Sequence, residues 1–306
     1  MTEFAIEIQS VAKSFGSVDV LRDLTMNVSQ GQTFAFLGRN GQGKTTTIRM
    51  LLGLLKPSAG EVRVLGLNPH REAIEIRRRV GYLAEDQTMF GWMSVREIID
   101  FMAPFYPTWD RALAKNLLKR FDLPEKTKIK HLSKGQNVRL GLLLAMAHNP
   151  QLVILDDPTL GLDPIMRKEF LRDVVEHLQG RGVTVFFSSH LLYEVEPVAD
   201  IVAILDGGRI LRQTQTETLR DDVKRLIISA KDYETMGSLP GTLDIKHSGQ
   251  QVALVVENAE ENLRTLAGKG VRPNVVDLNL DEIFEAYVIG ERHDRNLSKT
   301  HLERVA

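Results

Sequence analysis

No cysteine occurs among the 306 residues, which excludes disulfides and thiolate-bound metal and is compatible with a reducing compartment. Neither charge is in excess: 39 Lys and Arg stand against 40 Asp and Glu. That balance argues against bulk electrostatic binding to nucleic acid. Long hydrophobic runs are missing too. The stretch LGLLLAMA at residues 140–147 falls far short of the roughly 18 to 20 residues that span a bilayer, so any membrane role is expected to pass through a partner. The opening MTEFAIEIQSVAKSF has an early acid and no apolar centre, unlike a signal peptide. Internal repeats and low-complexity tracts are absent as well. What is present is an ordinary globular composition, 43% hydrophobic and 26% charged, and a length that suggests about two domains.

TFAFLG at residues 33–38 reads as a short buried strand that runs into RNGQGKTTT and then IRMLLGLL. In the last piece Ile48, Leu51, Leu52 and Leu55 fall at i, i+3, i+4 and i+7, one helical face. A turn at residues 57–60 and a strand, EVRVLG, follow. From about residue 86 to 149 the pattern is helical: SVREIIDFMAPFY, DRALAKNLLKRF and VRLGLLLAMA. Strands return with LVILDD and VTVFFSSH, with a helix around residues 170–178 between them. Such alternation implies a parallel sheet. VAILDGGRILRQT reads as a hairpin turning on Gly207 and Gly208. At LRDDVK, residues 219–224, the pattern breaks. A strand, a hairpin, a helix, a strand and a helix come after it. The expected organisation is an α/β domain over residues 1–220 with a helical stretch at about 86–149. A small α+β domain over 221–290 and a loosely held polar tail over 291–306 complete it.

GRNGQGKT at residues 38–45 matches G-x-x-x-x-G-K-[ST], between an expected strand and an expected helix. Gly38, Gly41 and Gly43 permit close backbone approach, and successive N–H groups backed by a helix N-terminus can point at phosphate. Lys44 adds charge at the β- and γ-phosphates, and Thr45 offers a hydroxyl to Mg²⁺. Further on, the apolar run LVIL ends on two carboxylates. Asp156, at the C-terminal end of a parallel strand, is placed to hold Mg²⁺, and Asp157 to face the attacking water. His190 ends the strand FFSSH, within reach of a γ-phosphate; a hydrogen-bonded strand-end histidine is its plainer reading.

Together with HLSKGQ (residues 131–136), these stretches resemble the ATP-binding subunit of ABC transporters over roughly residues 3–215. GYLAED and FYPTWD look like the bacterial branch whose ATPase is a separate chain beside a membrane-spanning exporter subunit. The resemblance implies an α/β P-loop NTPase fold with the helical stretch as an inserted subdomain, and an ATP-hydrolysing subunit that uses ATP and Mg²⁺ and closes as a head-to-tail homodimer. It also implies a separate transmembrane permease as partner, a cytoplasmic place on the inner face of the cell membrane, and no nucleic acid. Phe15 matches the aromatic that stacks on adenine, and Gly38, Asn40, Gly41, Gly43, Lys44, Thr45 and Thr46 the phosphate loop. Glu85 falls where a residue touches Mg²⁺ and the membrane partner, with Gln87 as a near alternative. Ser133, Gly135 and Gln136 match the signature loop that meets ATP on the other subunit, and Asp163 the acid that touches that subunit. Lys44, Asp157 and His190 match the catalytic set, although the family nearly always has glutamate where Asp157 stands. That departure raises a second reading, a slowly turning regulatory module; a soluble ABC-type ATPase is another.

Three further expectations follow from the residues. Ser133 is the N-cap of the helix behind the signature loop. The arginines at 77–79 form a solvated helix face. MFGWM, residues 89–93, is either a contact for the membrane partner or core of the helical subdomain.

Overall fold

The computed structural model describes residues 3–160, 162–189 and 196–290. It divides into two compact units, Met1–Gln213 and Thr214–Ala306. The break expected near residue 220 therefore comes earlier. LRDDVK lies largely within helix α7 (Thr216–Asp222), whose Leu219 is buried; its charges are those of a helix surface, not of a linker.

In the first unit the elements run β1 (Phe4–Phe15), β2 (Val18–Ser29), β3 (Thr33–Gly38), α1 (Lys44–Leu51), β4 (Ala59–Val64), α2 (Ala73–Arg79) and β5 (Val80–Leu83). The helical region follows as α3 (Val95–Met102), α4 (Arg111–Arg120) and α5 (Lys134–Met146). Then come β6 (Leu152–Asp156), α6 (Pro164–Leu178), β7 (Thr184–Ser189), β8 (Ile201–Asp206) and β9 (Arg209–Gln215). One sheet has the order β5-β6-β7-β3-β8-β9, with parallel pairing from β5 through β8. Its inner strands β3, β6 and β7 are buried at every position, as expected for a parallel sheet covered on both faces. Phe186 stacks on Phe34 at 5.7 Å and leans on Phe36 at 5.4 Å, tying neighbouring strands together. Parallel pairing brings Gly38, Leu83, Asp156 and Ser189 to the same edge of the sheet.

A second sheet, β2-β1-β4, is antiparallel. Its strands β1 and β2 were not legible as strands. The β1–β2 register slips between Phe4 and Ile6, between Ile8 and Val11, and twice more toward the hairpin tip, so the period-2 alternation is repeatedly interrupted. Helix α1 is also shorter than its apolar spacing suggests. It stops at Leu51 because Gly53 takes φ 68°. There Leu54 N–H donates to Arg49 O and Gly53 N–H to Met50 O, the paired bonds of a Schellman stop.

Each helix of the helical region has a polar cap. Ser94 and Glu97 form a capping box on α3, Asp110 caps α4, and Ser133 and Gln136 form a capping box on α5, as expected for Ser133. The arginines of α2 are only partly a solvated face: Arg78 is exposed, Arg79 pairs with Glu75, and Arg77 donates to Leu52 O at 3.2 Å. MFGWM is divided: Met93 is buried, as the core reading expects, while Phe90 and Trp92 are exposed.

The second unit contains α7, β10 (Lys224–Ser229), α8 (Ala230–Met236), β11 (Thr242–Ser248), β12 (Gln251–Val256), α9 (Ala259–Gly268), β13 (Asn274–Asp277) and α10 (Leu280–Val288). Its antiparallel sheet has the order β11-β12-β10-β13. Leu226, Ile228, Val252, Leu254, Val256 and Leu266 give it a core of its own. The short helices α7 and α8 were not expected.

Candidate nucleotide site

The loop between β3 and α1 is held open as a cradle. Its last residue, Gly43, is the N-cap of α1 at φ 105° and offers no side-chain cap. A Cβ there would sit 2.6 Å from Leu21 Cδ2 and in a conformation L-residues avoid. The first N–H groups of α1 thus have no side-chain oxygen competing for them, and a helix N-terminus in that state attracts an anion. Gln42 Oε1 accepts the Gly207 N–H at 2.7 Å, pinning the loop to the β8–β9 turn. Asn40 and Gly41 are exposed, and Thr45 and Thr46 half-buried.

Lys44 is 5% exposed. Its Nζ donates to Gly38 O at 2.9 Å and pairs with Asp157 Oδ2 at 3.5 Å. A charge so deeply placed requires both a counter-charge and hydrogen bonds, and it receives them from the two ends of the motif set.

Asp156 closes β6 and is buried. The Ser188 hydroxyl donates to Asp156 Oδ1 at 2.6 Å, and the Thr45 hydroxyl bonds the same carboxylate. Burial pushes the Asp156 carboxyl up from its ordinary range. The two hydroxyls and Lys44 oppose that rise, while the Asp157 charge adds to it. Tyr82 feels the same negative field: burial first, then Asp156, pushes its hydroxyl to about 12. Asp157 turns into the left-handed region at φ 41°, with its N–H on Ser188 O at 3.0 Å. That turn and its ion pair bring the carboxylate to Lys44.

The remaining expected residues lie in distinct places. Phe15 is exposed at the tip of the β1–β2 hairpin, with Lys13 Nζ 5.0 Å from its ring centroid. Val20 and Leu21 of that hairpin face Gly43, so the tip belongs to the cradle's rim. Glu85 is exposed after β5, and its charge reaches Tyr82. Gln87 turns instead toward α5, where a Cβ on Gly141 would come 2.8 Å from Gln87 Oε1. Ser133 accepts the Gln136 N–H and donates its own N–H to Gln136 Oε1. Gly135 is glycine for packing, since a Cβ would sit 1.7 Å from Met166 Cε. Asp163 Oδ1 accepts the N–H groups of Ile165 and Met166, each at 3.0 Å, a local cap at the start of α6. His190 lies outside the described residues. Among the described residues no hydrogen bond or ion pair joins Ser133, Gly135 or Gln136 to the cradle.

Ser188 is the contributor that sequence reasoning missed. The signal was there in retrospect: two serines finish a fully buried strand with an apolar centre, and a buried hydroxyl needs a partner.

A family model described as "ABC transporter" matches residues 21–160. The bacitracin transport ATP-binding protein BcrA of Bacillus licheniformis is 38% identical over 217 residues, 70% of this chain and 71% of that one. The chain belongs to the ABC transporter ATP-binding proteins. This ABC ATPase is also 31% identical over 302 residues to the uncharacterized ABC transporter ATP-binding protein YhaQ of Bacillus subtilis (strain 168), covering 92% of this chain and 99% of the relative. A solved ATP-binding subunit of an ABC transporter matches with a TM-score of 0.65 and 27% identity, over 71% of this chain and 92% of that one. The ABC ATPase is accordingly an ATP-binding, ATP-hydrolysing subunit that works with a membrane component. No described helix is long and apolar enough to cross a membrane.

Proposed function

We propose that two copies of this ABC ATPase close head to tail around two ATP molecules and that Asp157 orients the attacking water. The cycle drives a separate exporter-type permease from the cytoplasmic face of the cell membrane. The observation that carries the reading is the cluster of buried Lys44, Asp156 and Asp157 with half-buried Thr45 around an uncapped helix N-terminus, with Ser133, Gly135 and Gln136 apart from it. Each chain has half a site to give and half to receive, the self-complementarity a two-fold dimer needs.

ATP phosphates draw Lys44 away from Asp157, so the carboxylate is released toward water as the cradle fills. Phe15 stacks on adenine. Mg²⁺, when bound, would be held by Thr45, Asp156 and Glu85 and would offset phosphate charge. The site supports this because Asp156 is a buried hard-oxygen donor already bonded by hydroxyls. The rest of the catalysis is electrostatic positioning by Lys44, His190 and the partner's signature helix.

The Asp157 carboxylate is one methylene shorter than glutamate, roughly 1.5 Å of reach, yet its left-handed backbone brings it to within 3.5 Å of Lys44 Nζ. That favours turnover over the slow regulatory reading. In single-turnover hydrolysis at saturating ATP, Asp157→Asn is expected to lose at least about a hundredfold in rate while still holding ATP. Parental turnover in that variant would remove Asp157 from the role and make His190 the first suspect.

The permease contacts a cavity of about 400 Å³ lined by Gln87, Phe90, Ile98, Met102 and Leu144, beside Glu85. Cross-linking from a cysteine placed at Met102 to the co-expressed permease tests that contact.

A further inference from the structure

Four aromatic side chains form a continuous ladder on the surface of the helical region. Ring centroids of Phe90 and Trp92 are 6.0 Å apart, Phe90 and Phe101 meet edge to face at 5.8 Å, and Phe101 and Phe105 at 5.4 Å. All four are exposed, Trp92 the most at 64%. Scattered single aromatics on a surface need no explanation, but a connected set marks a contact.

The strip beside the ladder is basic. Gly91 O accepts the Lys130 N–H at 3.1 Å and Met93 O the Ile129 N–H at 2.9 Å, and Ser94 bridges Lys128. This pairing buries Ile129 and turns Lys128 and Lys130 outward on either side of it, next to exposed Lys126. Three of the nearby acids are occupied, while Glu85 and Asp86, on the Phe90 side, are exposed. Glu97 accepts the Ser94 N–H in the α3 capping box, and Asp100 and Glu125 both lie against Arg96. Glu97 also feels Lys128. Among the described residues Lys126 and Lys130 have no ion-pair partner.

We infer that the surface of Phe90, Trp92, Phe101 and Phe105 with Lys126, Lys128 and Lys130 docks on an anionic lipid headgroup layer, with Trp92 entering the interface. An exposed tryptophan flanked by unpaired lysines is the composition of interfacial anchors. A protein partner would more often meet its cations with fixed, planar arginine pairs, and here the free cations are lysines. Phe90 lines the cavity assigned above to the permease. The inference rests on that reading for its orientation, since a cavity facing a membrane-embedded partner brings its rim to the bilayer.

The test uses the full chain with Trp109→Phe, which leaves Trp92 as the only one of the 2 tryptophans. It is mixed with protein-free vesicles of phosphatidylcholine alone, or of phosphatidylcholine with phosphatidylglycerol. The expected result is binding to the mixed vesicles that falls with added salt, with Trp92 fluorescence quenched by brominated acyl chains. Lys128→Gln with Lys130→Gln should weaken binding about fivefold per lysine, while ATP binding by the same variant reports an intact fold. No binding to the mixed vesicles would overturn the inference. So would binding that leaves Trp92 unquenched or ignores the lysine changes; the ladder would then be a protein contact. Because the vesicles hold no permease, this outcome is read separately from cross-linking at the cavity.

Discussion

Helices α1 and α5 begin with glycine-containing loops of similar chemistry and opposite design. At α1 the N-cap is Gly43, which contributes no oxygen, so the first turn's donors are left for a ligand. At α5 the N-cap is Ser133, and a complete capping box with Gln136 satisfies the end from within. Gly43 is needed for a backbone angle and for Leu21; Gly135 is needed to admit Met166. One end leaves its donors open, as the proposed phosphate contact requires. The other is already stable, and the Ser133 hydroxyl, which uses a lone pair for the cap, keeps its proton to donate elsewhere. On the proposed function the two loops serve one ligand by different routes: one supplies bare backbone, the other a pre-set side chain.

The contrast is broken most strongly at Lys44. Lys44→Ala removes a charge-assisted contact to phosphate and is expected to lower ATP affinity roughly fiftyfold or more, the scale of about 2–3 kcal/mol. Titration calorimetry on the full chain measures it, with circular dichroism to check the fold. Unchanged affinity in a folded variant would end the cradle reading. A smaller effect separates the two glycines. Gly43→Ala forces a side chain into φ 105° against Leu21 and should cost about 1–3 kcal/mol of stability together with ATP affinity. Gly135→Ala meets only the flexible end of Met166, so it should cost about 1 kcal/mol or less and spare ATP binding by a single subunit. Denaturation midpoints and calorimetry on both variants would sharpen or erase the distinction. A stability change of similar size is expected in Ser133→Ala, which loses a cap worth about 1 kcal/mol. Its single-subunit ATP affinity should stay parental while ATP-driven dimerisation, followed by light scattering, fails. Parental dimerisation would show that the signature hydroxyl is dispensable.

Much of this was legible in residue pattern. The runs TFAFLG, LVILD and TVFFSS are strands because every position is buried in a sheet covered on both faces. The P-loop follows from its spacing and its place between strand and helix. The β1–β2 hairpin was not legible, because its register slips erase alternation. Nor was the early end of α1, where the apolar spacing continues past Leu51 but Gly53 and the paired bonds beneath it stop the helix.

The chain's order of residues by itself determined the family, the phosphate loop and the identity of the paired carboxylates, because these depend on local spacing and on a strand ending where the apolar run ends. Only the tertiary structure decided how differently the two carboxylates are held. Ser188, on the neighbouring strand, puts Asp156 under two hydroxyls, while a left-handed turn brings Asp157 against Lys44. It likewise decided that Phe90 and Trp92 face outward while Met93, in the same five residues, faces in. Partners that lie 30 or more positions away along the chain are chosen by sheet register and packing, and neither is written in any short stretch of residues.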